Sequence, residues 1–545
     1  MKRLIFCNIL LITFLAVFAQ PKPIKNVIVM IPDGTSTSLL SAARWYQIYQ
    51  DPAQKNLNID PFIKGLLGTH SSDAPIGDSA PTTSCYMTGQ PSQTSFVSTY
   101  PVKTDHDVVP VDAARAYQPL ATLLEASKQI YHKATGLVFT CEFPHATPAD
   151  CAAHSYRRSN YKIIAPQMVY NQVDVVIGGG VKYLLPEYQQ FLKDHGYRVF
   201  LNDLQGMTNC HKTPFWSLFC EKSMSYEMER DARQQPSLEE MTRKAIETLS
   251  KEPNGFFLMV EGSKVDWAAH DNDAKAALLD FIAFDKACKV AFDFAQKDGQ
   301  TLVVVMPDHG TGAITIGSAK SNHGYDKLSL NQIMSPIDNY NLSVWTMADT
   351  MKAVETSEWP DLFEKYFNIQ ITQSDIDFLQ SASDYKLSPM PKEQREGNEG
   401  MSHLVGQFLY NRTYFGFTTF GHTGENVFYA MYHPQNDVTT GYITNVQLHE
   451  YLCRQLNLTD SLPKLTADIY ADHHKVFDGY TTRIDSLAPN HYKLVVKNKK
   501  KTLEADSYTN IVTINKKSME IPSVMVYVDK NKTFYLPKNL RNYLD

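Results

Sequence analysis

The chain has 545 residues, of which 43% are hydrophobic and 20% are charged, and its formal net charge is −6. This composition is typical of a globular protein and excludes an intrinsically disordered chain. The negative charge argues against nucleic acid or an anionic membrane surface as a partner.

The N-terminus has the pattern of a secretory signal peptide. Lys2 and Arg3 precede an apolar run over residues 4–18, and the small residue Ala19 precedes Gln20. The run is too short for a comfortable membrane span, and no later run is long and apolar enough to form one. We therefore predict that residues 1–19 are a cleaved signal peptide and that the protein is exported, to the periplasm or the extracellular space.

The cysteine content is compatible with disulfide bonds in an exported chain. The sequence holds eight cysteines, one of them within the predicted signal peptide. Cys210 and Cys220 flank a short aromatic-rich loop and are the first candidate pair, while Cys141 and Cys151 are the second. The odd number that remains after cleavage leaves at least one free thiol.

The first predicted strand, over residues 25–31, is apolar and β-branched after its first two positions. A helix is predicted to follow and to end near residue 50. Asp33 comes directly after the strand, at the edge where open α/β sheets bind ligands. A turn or helix cap is the commoner role for a single aspartate, so this residue alone does not identify a site.

Residues 77–89 predict a tight turn followed by a helix start. Ser79 would lie in the first helical turn, where free backbone N–H groups and the positive dipole end favour an anion such as phosphate. An ordinary capped helix explains this stretch equally well. The potential metal ligands elsewhere in the chain favour the functional interpretation.

The middle of the chain alternates between strand and helix patterns. We predict helices over residues 113–129 and 145–158, strands over 134–140 and 173–180, and an irregular insertion over 200–240. The glycines that end the 173–180 strand do not match GxGxxG, so no dinucleotide site is predicted.

Two further strands are followed by polar side chains. Glu261 ends the strand predicted over residues 255–260, and Asp266 and His270 follow at a spacing that places both on one helical face. A surface pair is the common alternative for that spacing. Asp308 and His309 follow the strand predicted over residues 301–306, which is a less common arrangement.

The remaining chain divides into a long insertion, a last strand and a tail. Residues 311–415 show no obvious parallel strand and are predicted to form an insertion over the sheet edge, as a cap near the site. His422 precedes a strand predicted over residues 426–432. We predict a catalytic domain over residues 20–457 and a small β-rich C-terminal region over residues 458–545.

The polar residues at the strand ends are expected to converge, because the carboxyl ends of parallel strands meet at one edge of a sheet. Carboxylates combined with imidazoles suit zinc, and carboxylates combined with a hydroxyl suit magnesium. A serine at a helix N-terminus beside two such ions fits metal-assisted phosphoryl transfer.

With these residues in order, the sequence resembles the secreted alkaline phosphatase family. The resemblance covers about residues 26–456 and rests on Asp78-Ser79-Ala80, on Thr88-Gly89 at the end of the same helix, and on the ligand motifs. It implies an α/β fold with a central, mostly parallel sheet flanked by helices. It also implies small phosphate monoesters as substrates, two zinc ions, one magnesium ion and a homodimer.

The resemblance also implies roles for individual residues. Ser79 would become phosphorylated, and Arg158 rather than its neighbour Arg157 would bind the phosphate oxygens. The implied ligands are Asp266, His270 and His422 for one zinc, Asp33, Asp308 and His309 for the other, and Asp33, Thr147 and Glu261 for magnesium.

Three further residues are expected to flank the metal and phosphate ligands. Asp78 precedes the nucleophile in the motif. His145 stands where other family members have Asp, and Trp267 stands where they have Lys or His. At these last two positions the chain departs from the family pattern.

Other function classes fit the residues less well. A sulfatase needs Cys or Ser followed by x-Pro-x-Arg, and here Thr83 replaces the arginine. Related phosphodiesterases usually have a threonine nucleophile and lack the arginine and the magnesium ligands. A non-catalytic exported binding protein on the same scaffold would be expected to have lost ligands. The chain has no GxSxG, which disfavours a serine hydrolase.

Overall fold

The computed structural model describes residues 23–381 and 399–545. The signal peptide predicted over residues 1–19 lies outside the described residues and stays a prediction. Within the described ranges, no helix combines the length and the apolar character that a membrane crossing requires.

The strands before residue 445 are short to medium in length. They are β1 (Asn26–Ile31), β2 (Ile63–Gly68), β3 (Ala134–Glu142), β4 (Val175–Gly179), β5 (Arg198–Leu201), β6 (Phe215–Leu218), β7 (Phe256–Glu261), β8 (Thr301–Val305), β9 (Gly310–Thr311), β10 (Thr315–Ile316), β11 (Phe415–Gly416), β12 (His422–Thr423), β13 (Val427–Tyr432) and β14 (Gly441–Thr444).

Helices connect most of these strands and continue beyond them. They are α1 (Thr37–Gln50), α2 (Ser79–Thr88), α3 (Leu123–Tyr131), α4 (Ala146–Ala152), α5 (Tyr161–Tyr170), α6 (Pro186–Asp194), α7 (Leu204–Thr208), α8 (Leu238–Leu249), α9 (Lys264–His270), α10 (Ala274–Asp298), α11 (Leu330–Met334), α12 (Val344–Lys352), α13 (Trp359–Phe367), α14 (Gln373–Gln380), α15 (Glu399–Tyr410), α16 (Asn445–Leu456), α17 (Ser461–Ile469) and α18 (His473–Val476).

A ten-stranded sheet in the order β14-β2-β13-β8-β1-β7-β3-β4-β6-β5 forms the centre of the molecule. Its pairings are parallel except at β13, which runs antiparallel to β2 and β8. The central strands β8, β1 and β7 are buried along their whole length, as expected for parallel strands covered on both faces. The predicted α/β fold is confirmed.

This strand order determines where the site lies. Because β8, β1 and β7 are parallel neighbours, the residues after them emerge side by side at one edge of the sheet. Because β13 is reversed, its beginning lies at that same edge. His422, which precedes β13, therefore reaches the residues that follow the parallel strands.

Two predicted helices are shorter than expected. The pattern over residues 113–129 forms a short 3-10 helix at Ala113–Arg115 and becomes α-helical only in α3, since Thr122 and Glu125 form a capping box that starts that helix. The helix predicted over residues 145–158 ends with α4, because Ala153 is extended (φ −151°, ψ 166°). The following residues pair with another segment of the chain instead.

The insertion predicted over residues 200–240 is wrong in part. Residues Phe215–Leu218 form β6, a fully buried strand of the main sheet between β4 and β5. At four residues, the strand is too short for its pattern to stand out from its polar flanks.

The segment between residues 311 and 415 is mainly helical in its described part. Lys275 Nζ in α10 donates to the Asp338 carbonyl at 2.7 Å, and the Val344 N–H donates to Asp273 Oδ2 at 2.8 Å. These contacts place the segment against the helices that cover one face of the sheet. Its role as a cap stays a prediction.

The C-terminal region is rich in β-structure. Its strands are β15 (Ala471–Asp472), β16 (Thr481–Ala488), β17 (His491–Lys497), β18 (Thr502–Asp506), β19 (Ile511–Ile514), β20 (Lys517–Glu520), β21 (Val526–Val528) and β22 (Thr533–Leu536). Strands β16 to β20 form an antiparallel sheet in chain order. Buried residues of this region, Tyr470 and Phe534 among them, share a hydrophobic core with one face of the main sheet.

The expected disulfides are not present, since all seven cysteines in the described residues are free thiols. One thiol of each candidate pair has another partner. Cys210 Sγ lies 3.4 Å from the Lys212 carbonyl, and Cys141 Sγ lies 3.4 Å from Glu261 Oε2. The two predicted pairings are therefore wrong in this structure.

Gly178 in β4 allows close contact with the Phe139 ring of β3. A Cβ at this position would overlap that ring. We expect Gly178→Ala to lower the free energy of unfolding by about 1–3 kcal/mol, the usual cost of overpacking a core. Denaturant unfolding measures the change. Gly421→Ala is the control, because the nearest atom to its added Cβ is 3.6 Å away, and an equal loss in both variants would contradict the prediction.

Candidate active site

Ser79 is the first residue of α2, and Asp78 is the N-cap, with an extended backbone. The helix is buried along most of its length and ends at Gly89, whose φ of +79° is readily adopted only by glycine. The Ser79 side chain is almost fully buried. Its Oγ lies 3.4 Å from Asp33 Oδ2 and 3.3 Å from His309 Nε2.

The first cluster of ligands joins the residues that follow β1 and β8. Asp33, Asp308 and His309 are fully buried, and their ligand atoms lie within 4.8 Å of one another. His309 Nε2 lies 3.5 Å from Asp33 Oδ1 and 3.4 Å from Asp308 Oδ2. The Gly34 N–H donates to Asp308 Oδ1 at 3.1 Å and orients that carboxylate.

The second cluster contains Asp266, His270 and His422, also within 4.8 Å. The first two share a face of α9, as their spacing predicts. His270 Nδ1 donates to the Phe420 carbonyl at 2.6 Å and His422 Nδ1 donates to the Gly77 carbonyl at 2.9 Å. With Nδ1 donating in this way, Nε2 is the ring nitrogen of each histidine that can bind a metal.

The two clusters are in contact with each other. The His309 and His422 rings stack with their centroids 3.8 Å apart. Thr311 Oγ1 donates to Asp266 Oδ1 at 2.6 Å and lies 3.2 Å from His309 Nδ1. Ser79 therefore adjoins a continuous group of potential metal ligands.

The buried negative charge of the site favours divalent cations. Burial, followed by the nearby carboxylates, raises the pKa of Asp33 well above its usual value, and burial raises the pKa of Asp308 to about 6. Among the described residues, the basic groups within 4.0 Å of the Asp33, Asp266 and Asp308 carboxylates are histidine rings. Carboxylates buried in this way need strong compensation, which metal ions supply.

The predicted third ligand group has free donor atoms. Thr147 Oγ1 and Glu261 Oε1 are buried and have no hydrogen-bond partner among the described residues. Burial raises the pKa of Glu261 to about 8. These oxygen atoms fit a hard cation, although Cys141 and His145 also lie within ligand distance of Glu261.

Arg158 contacts the residue that precedes the nucleophile. Its Nη1 forms an ion pair with Asp78 Oδ1, and its Nη2 lies 3.2 Å from His145 Nε2. Burial, followed by the charge of Arg158, lowers the pKa of His145 to about 3, so this ring is neutral. Arg157 is exposed and lies over the Tyr156 ring instead.

Trp267 contacts two side chains near the phosphate region. Its ring lies edge-on to His145, with centroids 5.5 Å apart, and Lys264 Nζ lies 4.0 Å above the indole. These contacts place the two predicted zinc-ligand clusters beside Ser79 and link Trp267, through His145, to Arg158 and Asp78.

Sequence reasoning missed two neighbours of the ligands, Thr311 and the Cys141 thiol. Thr311 lies two residues after His309, so its position after a strand was a usable signal. Cys141 lies on β3, and Glu261 ends β7. That the two side chains are close could be inferred only once these strands were known to be neighbours.

Comparisons with known proteins agree with this arrangement. A family model described as alkaline phosphatase matches residues 24–458. Alkaline phosphatase 4 of Bacillus subtilis strain 168 is 32% identical over 435 residues, which are 77% of this chain and 86% of that protein.

Two solved structures show the same fold. The alkaline phosphatase of Thermus thermophilus has a TM-score of 0.68 at 22% identity, covering 80% of this chain and 92% of that one. A mutant of the alkaline phosphatase from the Antarctic bacterium TAB5, with Mg bound in its M3 site, has a TM-score of 0.54 at 21% identity, covering 80% and 99%.

Proposed function

Because the chain belongs to the alkaline phosphatase family and hydrolyses phosphate monoesters, we propose that its reaction proceeds through a phosphoserine at Ser79. The observation that carries this proposal is the position of Ser79 Oγ, which adjoins Asp33 and His309 at the start of α2. The free N–H groups of the first helical turn face the same region and suit an anion.

This placement determines what the residues of the chain do in each reaction step. The Ser79 hydroxyl gives up its proton as Oγ attacks phosphorus, the bond from phosphorus to the ester oxygen breaks, and that oxygen takes up a proton and leaves as the alcohol. A water molecule then gives up a proton as it attacks the phosphoserine, the bond from phosphorus to Oγ breaks, Oγ takes up a proton, and inorganic phosphate leaves. Arg158 binds two terminal phosphate oxygens in both steps and offsets their charge.

The enzyme is metal-dependent, and we propose that it binds two zinc ions and one magnesium ion. The mixed clusters of carboxylates and imidazoles suit zinc, and the free oxygens of Thr147 and Glu261 with Asp33 suit magnesium. When bound, these ions lower the pKa of a hydroxyl or water and stabilise a leaving oxygen.

Export and dimerisation are proposed on other grounds. Lys2, Arg3 and the apolar residues 4–18 support a cleaved signal peptide and a site of action outside the cytoplasm. The family resemblance supports a homodimer.

The alternatives of the same superfamily are less well supported. The phosphodiesterase alternative lacks the arginine and magnesium ligands that are present here, and the sulfatase alternative needs an arginine at Thr83. A non-catalytic binding protein would not be expected to keep both ligand clusters beside Ser79.

We expect Arg158→Ala to reduce kcat/KM for a phosphate monoester much more than for a diester. A monoester dianion offers oxygens that the guanidinium holds as a fork, whereas a diester replaces one of them with an ester group. The loss for the monoester is about 2–4 kcal/mol in the transition state. Both efficiencies are measured with the same leaving group in the wild type and the variant.

Arg157→Ala is the matched control, because this neighbour is exposed and its guanidinium lies over the Tyr156 ring. It should leave the ratio of monoester to diester efficiency at the wild-type value. A wild-type enzyme that prefers the diester would identify a phosphodiesterase instead. An unchanged ratio in Arg158→Ala would show that another group binds the phosphate.

A further inference from the structure

Arg158 is carried to the site by residues 153–160, a segment that lies between α4 and α5 and has no helix of its own. One side of the segment pairs with residues 95–97. Ser155 and Val97 exchange two backbone hydrogen bonds, of 2.7 and 3.0 Å. The position of the guanidinium therefore depends on contacts with other parts of the chain.

The C-terminal region, residues 458–545, supplies contacts along the same segment. It lies beyond the part of the chain that the family model matches. Three of its side chains contact the segment. Tyr470 OH lies 2.7 Å from His154 Nε2, and Asp529 Oδ1 accepts from Tyr156 OH at 2.6 Å. Asn490 Oδ1 accepts from Asn160 Nδ2 at 3.4 Å.

The contact between Tyr156 and Asp529 lies at the protein surface, where Asp529 is exposed and Tyr156 is half-buried. The Tyr156 ring packs edge-on against Phe96 and Tyr117, with centroids 6.2 and 5.7 Å apart, so the hydroxyl has a fixed direction. Lys530 Nζ lies 5.9 Å from the ring centroid. Burial and the Asp529 charge both raise the pKa of Tyr156, which keeps the phenol protonated and able to donate.

This contact connects to the phosphate-binding group by a short path. Phe96, which packs on Tyr156, follows Ser95 in the chain. The Ser95 carbonyl accepts from the Arg158 backbone N–H at 2.8 Å, and the Ser95 N–H donates to Asp78 Oδ2 at 3.2 Å. Asp78 in turn forms the ion pair with the guanidinium.

We propose that Tyr156 and Asp529 are positioning residues through which the C-terminal region fixes Arg158 against the phosphate. Neither side chain touches the reacting atoms, so both act by holding the segment that carries the guanidinium. This inference rests on the proposed role of Arg158. It assigns a function to a part of the chain that the family match does not cover.

The test compares Tyr156→Phe, Asp529→Ala and Asp529→Asn in the metal-loaded full-length enzyme. Inorganic phosphate is the probe, and its inhibition constant reports how well the guanidinium is placed. We expect Tyr156→Phe and Asp529→Ala to raise that constant about three- to ten-fold, the effect of losing one hydrogen bond to a charged acceptor. Asp529→Asn keeps an acceptor oxygen and should restore a value near the wild type.

Two comparisons separate positioning from general stability. In an Arg158→Ala background, Asp529→Ala should not raise the phosphate inhibition constant further, because its effect passes through the guanidinium. Asp485→Ala, which removes the partner of Arg483 on β16 in the same region, should leave the inhibition constant unchanged. A merely structural role would lower Tm in the Asp529 variant without a selective loss of phosphate affinity.

Failure of this inference can be told apart from failure of the proposed function. If Arg158→Ala is impaired while Tyr156→Phe and Asp529→Ala both stay within two-fold of the wild type, the positioning role is overturned. The positioning role is also overturned if Asp529→Ala raises the phosphate inhibition constant by the same factor in the Arg158→Ala background as in the wild type. If Arg158→Ala itself binds phosphate as the wild type does, the proposed role of Arg158 fails, and this inference fails with it.

Discussion

Ser79→Ala is expected to lower kcat for a phosphate monoester by a factor on the order of 10⁴ or more, the scale seen when other hydrolases lose a covalent nucleophile. The variant removes the only protein atom that forms a bond to phosphorus in the proposed reaction. Its metal content should stay at the wild-type level, because Asp33, Asp308 and His309 form their cluster without the serine. Steady-state kinetics and elemental analysis measure the two quantities.

Thr88→Ala is the matched control for this variant. It removes a hydroxyl from the other end of α2, where Thr88 Oγ1 donates to the Ser84 carbonyl. It should keep most of the activity. Near-full activity of Ser79→Ala, or a phosphorylated peptide that does not contain Ser79 after acid quenching of the wild type, would show that the nucleophile is another residue.

Complete chelation should abolish monoester hydrolysis, with a residual rate below about 0.1% of the starting rate. Each ligand cluster contains buried carboxylates with imidazole or hydroxyl neighbours. Without cations, the negative charge of these carboxylates is not offset and the serine is not activated. Zinc together with magnesium should restore the rate. Zinc alone should restore less, if Thr147 and Glu261 hold the magnesium ion as proposed.

The control for chelation is a measurement that the metal-free protein is still folded. Far-UV circular dichroism of the metal-free protein should remain close to that of the loaded protein, since β8, β1 and β7 are packed by apolar side chains. Undiminished activity in a sample that elemental analysis shows to be metal-free would contradict the metal-dependent mechanism.

The sequence was sufficient to predict the central strands and the residues that follow them. Strands β1, β7 and β8 are continuous apolar runs, and Asp33, Glu261 and Asp308 come directly at or after their ends. Once the strands are parallel neighbours, the convergence of these side chains follows from geometry. His422 could be assigned only through the family resemblance, because the reversal of β13 is a tertiary feature.

Other features depended on long-range packing and were not predictable from local patterns. β6 is a strand because it is buried between β4 and β5, not because its four residues show a clear period. The chain leaves α4 at Ala153 because Ser155 pairs with Val97, which is far away in the sequence. The contact of Tyr156 with Asp529 joins segments that are even further apart.

The position of His422 late in the chain, ahead of the reversed strand β13, also has a consequence for biosynthesis. A ribosome makes the chain from its N-terminus, so Asp33, Asp308 and His309 are all available before His422 is translated. A nascent or truncated chain that ends before His422 contains all three residues of one ligand cluster but lacks a residue of the other. Full metal loading is therefore a late event in the maturation of each molecule, and fragments that stop short of His422 cannot complete the second cluster.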